Sequence, residues 1–230
     1  MQPYIFPYLG YFQLINAVEN FVVYDDVNFI KGGWIHRNRI LVNNTDSLFT
    51  VPLSKLSSFS PINETKINEK SFEDWKKKFL RSIELAYKKA PNFIEVNSLI
   101  KRVLDNETLL ISDLAIKSIK EVLSFLNISV NIYVSSEYFS DSRSMNRVDR
   151  IVSICEDLNS NVYINAIGGT DLYNKEEFKQ RGLNLSFLKS HLEPYKQFNE
   201  TFVPGLSIID VLMFNSVDAI NNQLYNFDLL

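Results

Sequence analysis

The densest group of chemically active side chains in this sequence lies between Asp25 and Arg39 and reads DDVNFIKGGWIHRNR. Asp25 and Asp26 directly follow the apolar run FVVY. Two adjacent carboxylates in that position can hold a divalent cation that bridges a pyrophosphate. They can also cap a following turn, which is the commoner role of such a pair. The residue types leave both interpretations open.

Cationic and aromatic side chains follow the two acids within the same run. Arg37 and Arg39 are two residues apart, so on a strand they share a face and can clamp a phosphate or carboxylate. Gly32-Gly33 is a turn signal, which keeps a solvated hairpin as the alternative. Trp34 within this charged run favours a binding site. The remaining polar side chains of the run are Lys31, His36 and Asn38.

A second cluster runs from Gln2 to Tyr11 and reads QPYIFPYLGY. Its tyrosines, including Tyr8, can stack on a ring or donate hydrogen bonds. The alternative is an aromatic packing loop that Pro3 and Pro7 hold rigid. The two interpretations are about equally supported.

A third cluster runs from Asn146 to Asp171. Arg150 lies in the first turn of a predicted helix. Further on, an apolar run leads into Gly168, Gly169, Thr170 and Asp171. Such a segment is typical of a phosphate or carboxylate nest. A tight strand-to-helix turn with an ordinary N-cap fits equally well.

The composition excludes several classes of protein. The 24 basic and 27 acidic residues give a net charge of 24 − 27 = −3, which argues against nucleic-acid binding. Two histidines exclude a histidine-rich metal centre, and the single Cys155 lies on an apolar helix face as a core residue. The cysteine count predicts a cytoplasmic protein, and no apolar run reaches the roughly 18 residues of a membrane span. No G-x-G-x-x-G, P-loop or G-x-S-x-G motif occurs.

Short apolar runs alternate with helical patterns over most of the chain. This alternation predicts an α/β fold with an open, mainly parallel sheet and helices on both faces. Ligands of such sheets bind beyond the carboxyl ends of the strands, where the three clusters stand. The predicted strands are 21–24, 130–134, 162–164 and 183–187, and the predicted helices around them are 11–18, 147–158, 175–180 and 206–214.

Residues 71–127 interrupt this alternation with helical patterns alone. Ser71, with Asp74 three residues later, predicts an N-cap. Apolar residues then recur at spacings of three and four, from Phe72 to Tyr87. We therefore expect one α/β domain over residues 1–230 with a helical insertion at about 71–127.

Taken together, five segments resemble the WbqC-like protein family over essentially the whole chain. They are QPYIFPYLGYFQLI at 2–15, FVVYDDVNFIKGGWIHRNRI at 21–40, DRIVSIC at 149–155, YINAIGGTDLY at 163–173 and FVPGLSIIDVLMFN at 202–215. Members usually have arginine and asparagine where this chain has Gly32 and His36. They tend to have Ser-Gly-Pro-Gly where it has residues 165–168.

The resemblance implies a role in bacterial surface-polysaccharide biosynthesis, such as the lipopolysaccharide O-antigen. The natural activity would be a transferase, most simply acyl or aminoacyl transfer to a nucleotide-linked amino sugar. Asp25 or Asp26 would act as base or metal ligand, with His36 as a further catalytic candidate and a divalent cation as the one candidate cofactor. The expected substrate-binding residues are Gln2, Tyr8, Tyr11, Lys31, Trp34, Arg37, Asn38, Arg39, Arg150, Gly168, Gly169 and Asp171.

Two other functions fit the same residues. One is a metal-dependent glycosyltransferase that uses Asp25 and Asp26. The other is a non-catalytic partner protein of a polysaccharide assembly complex, with the aromatic residues of 4–12 and 72–87 as its interface. A homo-oligomer is compatible with all three.

Overall fold

A computed structural model describes residues 1–105, 108–198 and 201–230. Helices and short strands alternate along most of the chain, which confirms the α/β class. The helices are α1 (Leu9–Asn16), α2 (Glu69–Tyr87), α3 (Phe93–Leu104), α4 (Ile111–Phe125), α5 (Ser135–Tyr138), α6 (Arg147–Asp157), α7 (Lys175–Lys179), α8 (Ile208–Phe214) and α9 (Val217–Gln223). The strands are β1 (Asn20–Val23), β2 (Arg37–Val42), β3 (Thr45–Thr50), β4 (Asn131–Val134), β5 (Val162–Ala166), β6 (Asn184–Ser190) and β7 (Phe227–Leu229).

The strands form three small sheets instead of one open sheet. β1 pairs with β4 in parallel, and β5 pairs with β6 in parallel while β7 joins β6 antiparallel. β2 and β3 form a separate antiparallel pair. The four strands predicted from apolar runs therefore form parallel pairs. These pairs belong to two separate sheets, so the predicted open parallel sheet is only partly present.

The sequence interpretation missed the hairpin of β2 and β3. Its turn lies at Asn43 and Asn44, whose φ angles of 49° and 68° are both positive. Such a pair is typical of a two-residue type I′ turn, which asparagine tolerates. The Gly32-Gly33 signal marks an earlier turn, in which the Gly33 N–H donates to the Ile30 carbonyl at 3.0 Å.

The first helix of the 71–127 stretch begins earlier than predicted. Asn68 is the N-cap of α2, and its side chain accepts from the Ser71 N–H at 3.3 Å. The prediction of Ser71 as N-cap was wrong because Asn68 is an equally good cap one turn upstream. The predicted apolar face is correct, since Phe72, Phe79 and Tyr87 are buried.

The buried faces of α2, α3 and α4 belong to the main hydrophobic core, which also contains residues of α1, β1, β2 and α8. The division into one domain with a helical insertion stays a prediction.

A smaller core lies between α6, α7 and the β5–β6 pair, and it contains Cys155 and Phe178. Burial raises the pKa of Cys155 to about 11, as expected of a core thiol. Within the described ranges, no helix is both long and apolar enough to cross a membrane.

Candidate functional site

A cavity of about 440 Å³ opens near the carboxyl ends of the parallel strands. Met1 pairs with β1, because its amino group donates to the Val22 carbonyl and its carbonyl accepts from the Tyr24 N–H, both at 2.8 Å. Leu192 reaches the cavity just after β6 ends. The described lining residues are Met1, Gln2, Pro3, Tyr4, Tyr8, Trp34, Ile35, Asn38, Leu192 and Gly205. The cavity therefore lies where ligands of α/β sheets bind.

The loop between the two prolines of the first cluster is held in a strained conformation. Phe6 has a φ of 43°, which a bulky residue rarely adopts. Its N–H donates to Ser118 Oγ at 3.0 Å. Its carbonyl accepts from Asn38 Nδ2 at 2.6 Å and from Ser207 Oγ at 2.8 Å. Strain of this kind costs on the order of 1–3 kcal/mol and persists only where neighbouring contacts enforce it.

Trp34 lies at the exposed side of the cavity, beside two arginines. Its side chain is 47% exposed, and the guanidinium carbons of Arg37 and Arg39 lie 5.8 Å and 5.6 Å from its ring centroid. Both arginines thus stand on the same face of β2, as their spacing indicates. Arg39 forms an ion pair with Asp46 at 3.0 Å and donates to the Gly205 carbonyl at 3.2 Å. Arg37 donates to the carbonyls of residues 32 and 33.

Asn38 and Tyr8 line the cavity from β2 and from the start of α1. The Asn38 amide is already bonded, because Nδ2 donates to the carbonyls of Ile5 and Phe6 and Oδ1 accepts from the Arg39 N–H. Asn38 therefore holds the loop at Ile5 and Phe6 in place. The Tyr8 ring packs so closely that a Cβ at Gly10 would lie 2.5 Å from it. Gly10 is required there for close approach.

Asp25 is buried beside the N-terminus of α5. Its carboxylate accepts from the Ser136 N–H at 3.0 Å and from Ser136 Oγ at 2.7 Å, and Ser135 Oγ lies 3.0 Å from it. Parallel pairing of Val23 with Val134 places the two strand ends side by side, which brings these groups together. Asp25 thus binds the start of a helix 110 residues further along the chain, whereas the sequence alternative was the capping of a following turn.

Asp26 is also buried, and Arg150 neutralises it. Asp26 Oδ2 lies 2.6 Å from an Arg150 guanidinium nitrogen, and the two side chains are 1% and 4% exposed. Ser135 Oγ lies 2.5 Å from Asp26 Oδ1. The Arg150 guanidinium also stacks over the Tyr24 ring at 4.4 Å. Arg150 was predicted to bind substrate, and the structure directs it into this ion pair.

The two aspartates do not fit a divalent cation as they stand. A cation between them would have to displace Arg150 from Asp26 and the serine groups from Asp25. Across residues 1–105, 108–198 and 201–230, no group of three or more His, Cys, Asp or Glu side chains is arranged to hold a metal ion. No chemical step is therefore assigned to a metal.

The other predicted site residues stand apart from the cavity lining that the structure describes. His36 is 6% exposed and its ring packs against Phe29, with Nδ1 unpaired. Burial, and next the charge of Arg37, lower the pKa of His36. Tyr11 is 2% exposed within the core. Lys31, Gly168 and Asp171 are exposed, and Gly169 packs against the Asn165 side chain.

The predicted site residues do not include two cavity-lining residues that come from the chain after β6. Leu192 and Gly205 line the cavity, but neither carries a polar side chain that would mark it. The position of Leu192, just after a predicted strand, is the signal that could have found it. Gly205 has a φ of 67°, so the glycine in the Val203-Pro204-Gly205 loop is required by its backbone conformation.

The fold and the cavity define an α/β protein with a candidate site near the ends of its parallel strands. The chain belongs to the WbqC-like protein family, whose profile matches residues 2–222. It is similar to the uncharacterized protein Rv1507c of Mycobacterium tuberculosis, with 28% identity over 213 residues that cover 91% of this chain and 89% of the relative. No solved structure matches the chain significantly.

Proposed function

We propose that this chain is a transferase of bacterial surface-polysaccharide biosynthesis that binds a nucleotide-linked amino sugar in the cavity. The reaction is acyl or aminoacyl transfer to the amino group of that sugar. Family membership supports the general class. The observation that carries the ligand assignment is the exposed Trp34 ring with two guanidinium groups against it, at the mouth of a largely apolar cavity.

The chemistry of these groups matches the parts of a nucleotide sugar. An aromatic ring can stack on a base or sugar, and arginine binds phosphate oxygens in a bidentate manner. Among the described residues, Arg37 has no acidic partner and bonds only to the backbone carbonyls of residues 32 and 33. Its charge is therefore available to a diphosphate, while Arg39 must share its charge with Asp46.

The ligand binds at the cavity, and the buried acids take no part in its binding. Gln2 and Tyr8 line the cavity together with Trp34. Asp25 and Asp26 are bonded to Ser135, Ser136 and Arg150, so their contacts favour support of the strand ends over proton transfer. For the same reason we prefer this function to a metal-dependent glycosyltransferase.

The non-catalytic alternative keeps only part of the aromatic surface that was expected to support it. Phe6, Phe12, Phe72, Phe79 and Tyr87 are buried in the core, so these aromatic residues cannot form a protein interface. Tyr8 and Trp75 are only partly buried, so an interface formed by residues 4–12 and 72–87 stays a prediction that most of their aromatic side chains do not support.

Tryptophan fluorescence tests the ligand assignment directly. The chain has two tryptophans, so Trp75→Phe leaves Trp34 as the only emitter. We expect UDP-, dTDP- or GDP-linked amino sugars to change the Trp34 emission and to raise the melting temperature. Arg37→Ala should weaken binding about tenfold, which is roughly the contribution of one charge-assisted contact.

Arg81→Ala is the matched control, because Arg81 is 65% exposed on α2 and forms only a surface ion pair with Glu84. It should leave the affinity unchanged, and EDTA should have no effect. If no nucleotide sugar in the panel changes the emission or stability of the folded protein, the proposal is wrong. Binding that needs Mn²⁺ or Mg²⁺ and disappears in Asp26→Asn would instead favour the glycosyltransferase.

A further inference from the structure

Asp210, in the first turn of α8, is a fully buried acid that the proposed function does not use. Its carboxylate accepts hydrogen bonds from Tyr87 Oη at 2.8 Å, Tyr195 Oη at 2.6 Å and Gln197 Nε2 at 2.8 Å. None of these donors is cationic. A buried carboxylate with only neutral partners is costly, and burial accordingly raises the pKa of Asp210 against the effect of the three bonds.

The three donors come from two different parts of the molecule. Tyr87 belongs to α2 in the main core. Tyr195 and Gln197 belong to the cavity wall, by which we mean the described residues 192–198 and 201–206. This wall contributes Leu192 and Gly205 to the cavity. The carboxylate of Asp210 thus bonds the wall to α8 and the core, in addition to the hydrogen bond from Arg39 to the Gly205 carbonyl.

Neighbouring bonds fix the direction of two of the three hydrogen bonds. Tyr87 Oη accepts from the Leu41 N–H at 2.7 Å, so its own proton is free for Asp210. Gln197 Oε1 accepts from the Val203 N–H at 2.9 Å, which orients Nε2 toward Asp210. Both terminal atoms of the side chain at position 210 must therefore accept hydrogen bonds. In an asparagine, one of these atoms is an NH2 group, which would face a donor of Tyr87, Tyr195 or Gln197.

We propose that Asp210 is a positioning residue for the cavity: its carboxylate holds Tyr195 and Gln197, and through them the part of the wall formed by Leu192 and Gly205. The relevance of this wall to a ligand rests on the proposed function, whereas its attachment to Asp210 does not. A small cleft beside the cavity supports the assignment. It is lined by Tyr195 and shares Tyr8, Leu192 and Gly205 with the cavity.

Two matched variants separate positioning from general stability. Tyr195→Phe and Tyr87→Phe each remove one hydroxyl donor from the same carboxylate, one from the wall and one from the core. We expect the Val203 amide, which Gln197 binds, to exchange with solvent about tenfold faster in Tyr195→Phe, and at the wild-type rate in Tyr87→Phe. Tenfold corresponds to about 1.4 kcal/mol. Asp210→Asn should accelerate the exchange at least as much as Tyr195→Phe.

Ligand affinity is the second measurement, with the UDP-, dTDP- and GDP-linked amino sugars as probes. We expect the affinity of the bound probe to fall about tenfold in Tyr195→Phe and to stay unchanged in Tyr87→Phe, although Tyr87→Phe also leaves the Leu41 N–H unpaired and lowers stability. Equal effects of the two variants on Val203 exchange would overturn the inference. If no probe binds the wild type, the proposed function fails, and the exchange rates alone still decide whether Asp210 holds the wall.

Discussion

Replacing Asp26 by asparagine separates a structural role of this carboxylate from a catalytic one. Asp26 and Arg150 are almost completely buried and lie 2.6 Å apart. Asparagine keeps the size of the side chain but removes its charge, so the Arg150 guanidinium is left buried without a counterion. Breaking one partner of a buried ion pair typically costs about 3–5 kcal/mol.

The individual contacts give a similar magnitude. The Asp26 carboxylate has two charged hydrogen bonds, to Arg150 at 2.6 Å and to Ser135 at 2.5 Å. Each hydrogen bond to a charged group contributes about 1.5–3 kcal/mol. We therefore expect Asp26→Asn to lose about 3–5 kcal/mol from the free energy of unfolding. That is a large part of the roughly 5–15 kcal/mol of a typical domain.

Urea unfolding followed by circular dichroism measures this loss. Glu84→Gln, which breaks the exposed ion pair with Arg81, is the matched control and should cost less than about 1 kcal/mol. Arg150→Met in the Asp26→Asn background should restore part of the stability, because the uncompensated charge is then gone. The reasoning is refuted if Asp26→Asn unfolds within about 1 kcal/mol of the wild type.

Three further predictions concern the cavity and the two other buried titratable groups. Gly10→Ala should lose about 1–3 kcal/mol and weaken ligand binding, as measured by urea unfolding and Trp34 fluorescence, because the new methyl displaces the Tyr8 ring. The pKa of His36 is lowered below 6.5 in the folded state, so the folded chain binds fewer protons than the unfolded chain. The folded state therefore loses stability as the pH falls through 6.5. His36→Asn should unfold with a smaller pH dependence between about pH 7.5 and 5.5. The pKa of Asp210 is raised above 3.8, so the folded state binds more protons and its contribution to stability falls as the pH rises. Unfolding free energies should therefore show the wild type gaining on Asp210→Asn as the pH falls from about 7 to 4, and a constant difference would contradict this.

The parts of the fold that could be predicted are those where burial imposes a regular apolar pattern. α2 buries the predicted face, because packing against a core demands spacings of three and four. The hairpin was missed for the converse reason. β3 reads TDSLFT and buries only Phe49, so no apolar alternation marks it. Its one local signal is the asparagine pair in the turn.

The site residues that could be predicted are those whose roles depend on their own segment. The roles of the others depend on partners that are distant in the sequence. Trp34 and Asn38 lie within one short segment, and both line the cavity. The role of Asp26 is decided by Arg150, which lies 124 residues further along the chain. Sequence spacing alone cannot show that contact. Asp25 and Asp26 were correctly placed after a strand. The serines that bind them come from the residues after β4, and the pairing of β1 with β4 brings them there.

The charge around Trp34 favours an anionic ligand. The chain as a whole carries a net charge of −3, yet Arg37 and Arg39 lie side by side against one exposed tryptophan ring. Asp46 is the acid that pairs with them within the described chain, and it reaches only Arg39. Two adjacent cations that share one carboxylate leave a local positive charge at the mouth of an apolar cavity. An anion carried on an aromatic or sugar ring complements both features, and because the site is exposed, its affinity should fall as ionic strength rises.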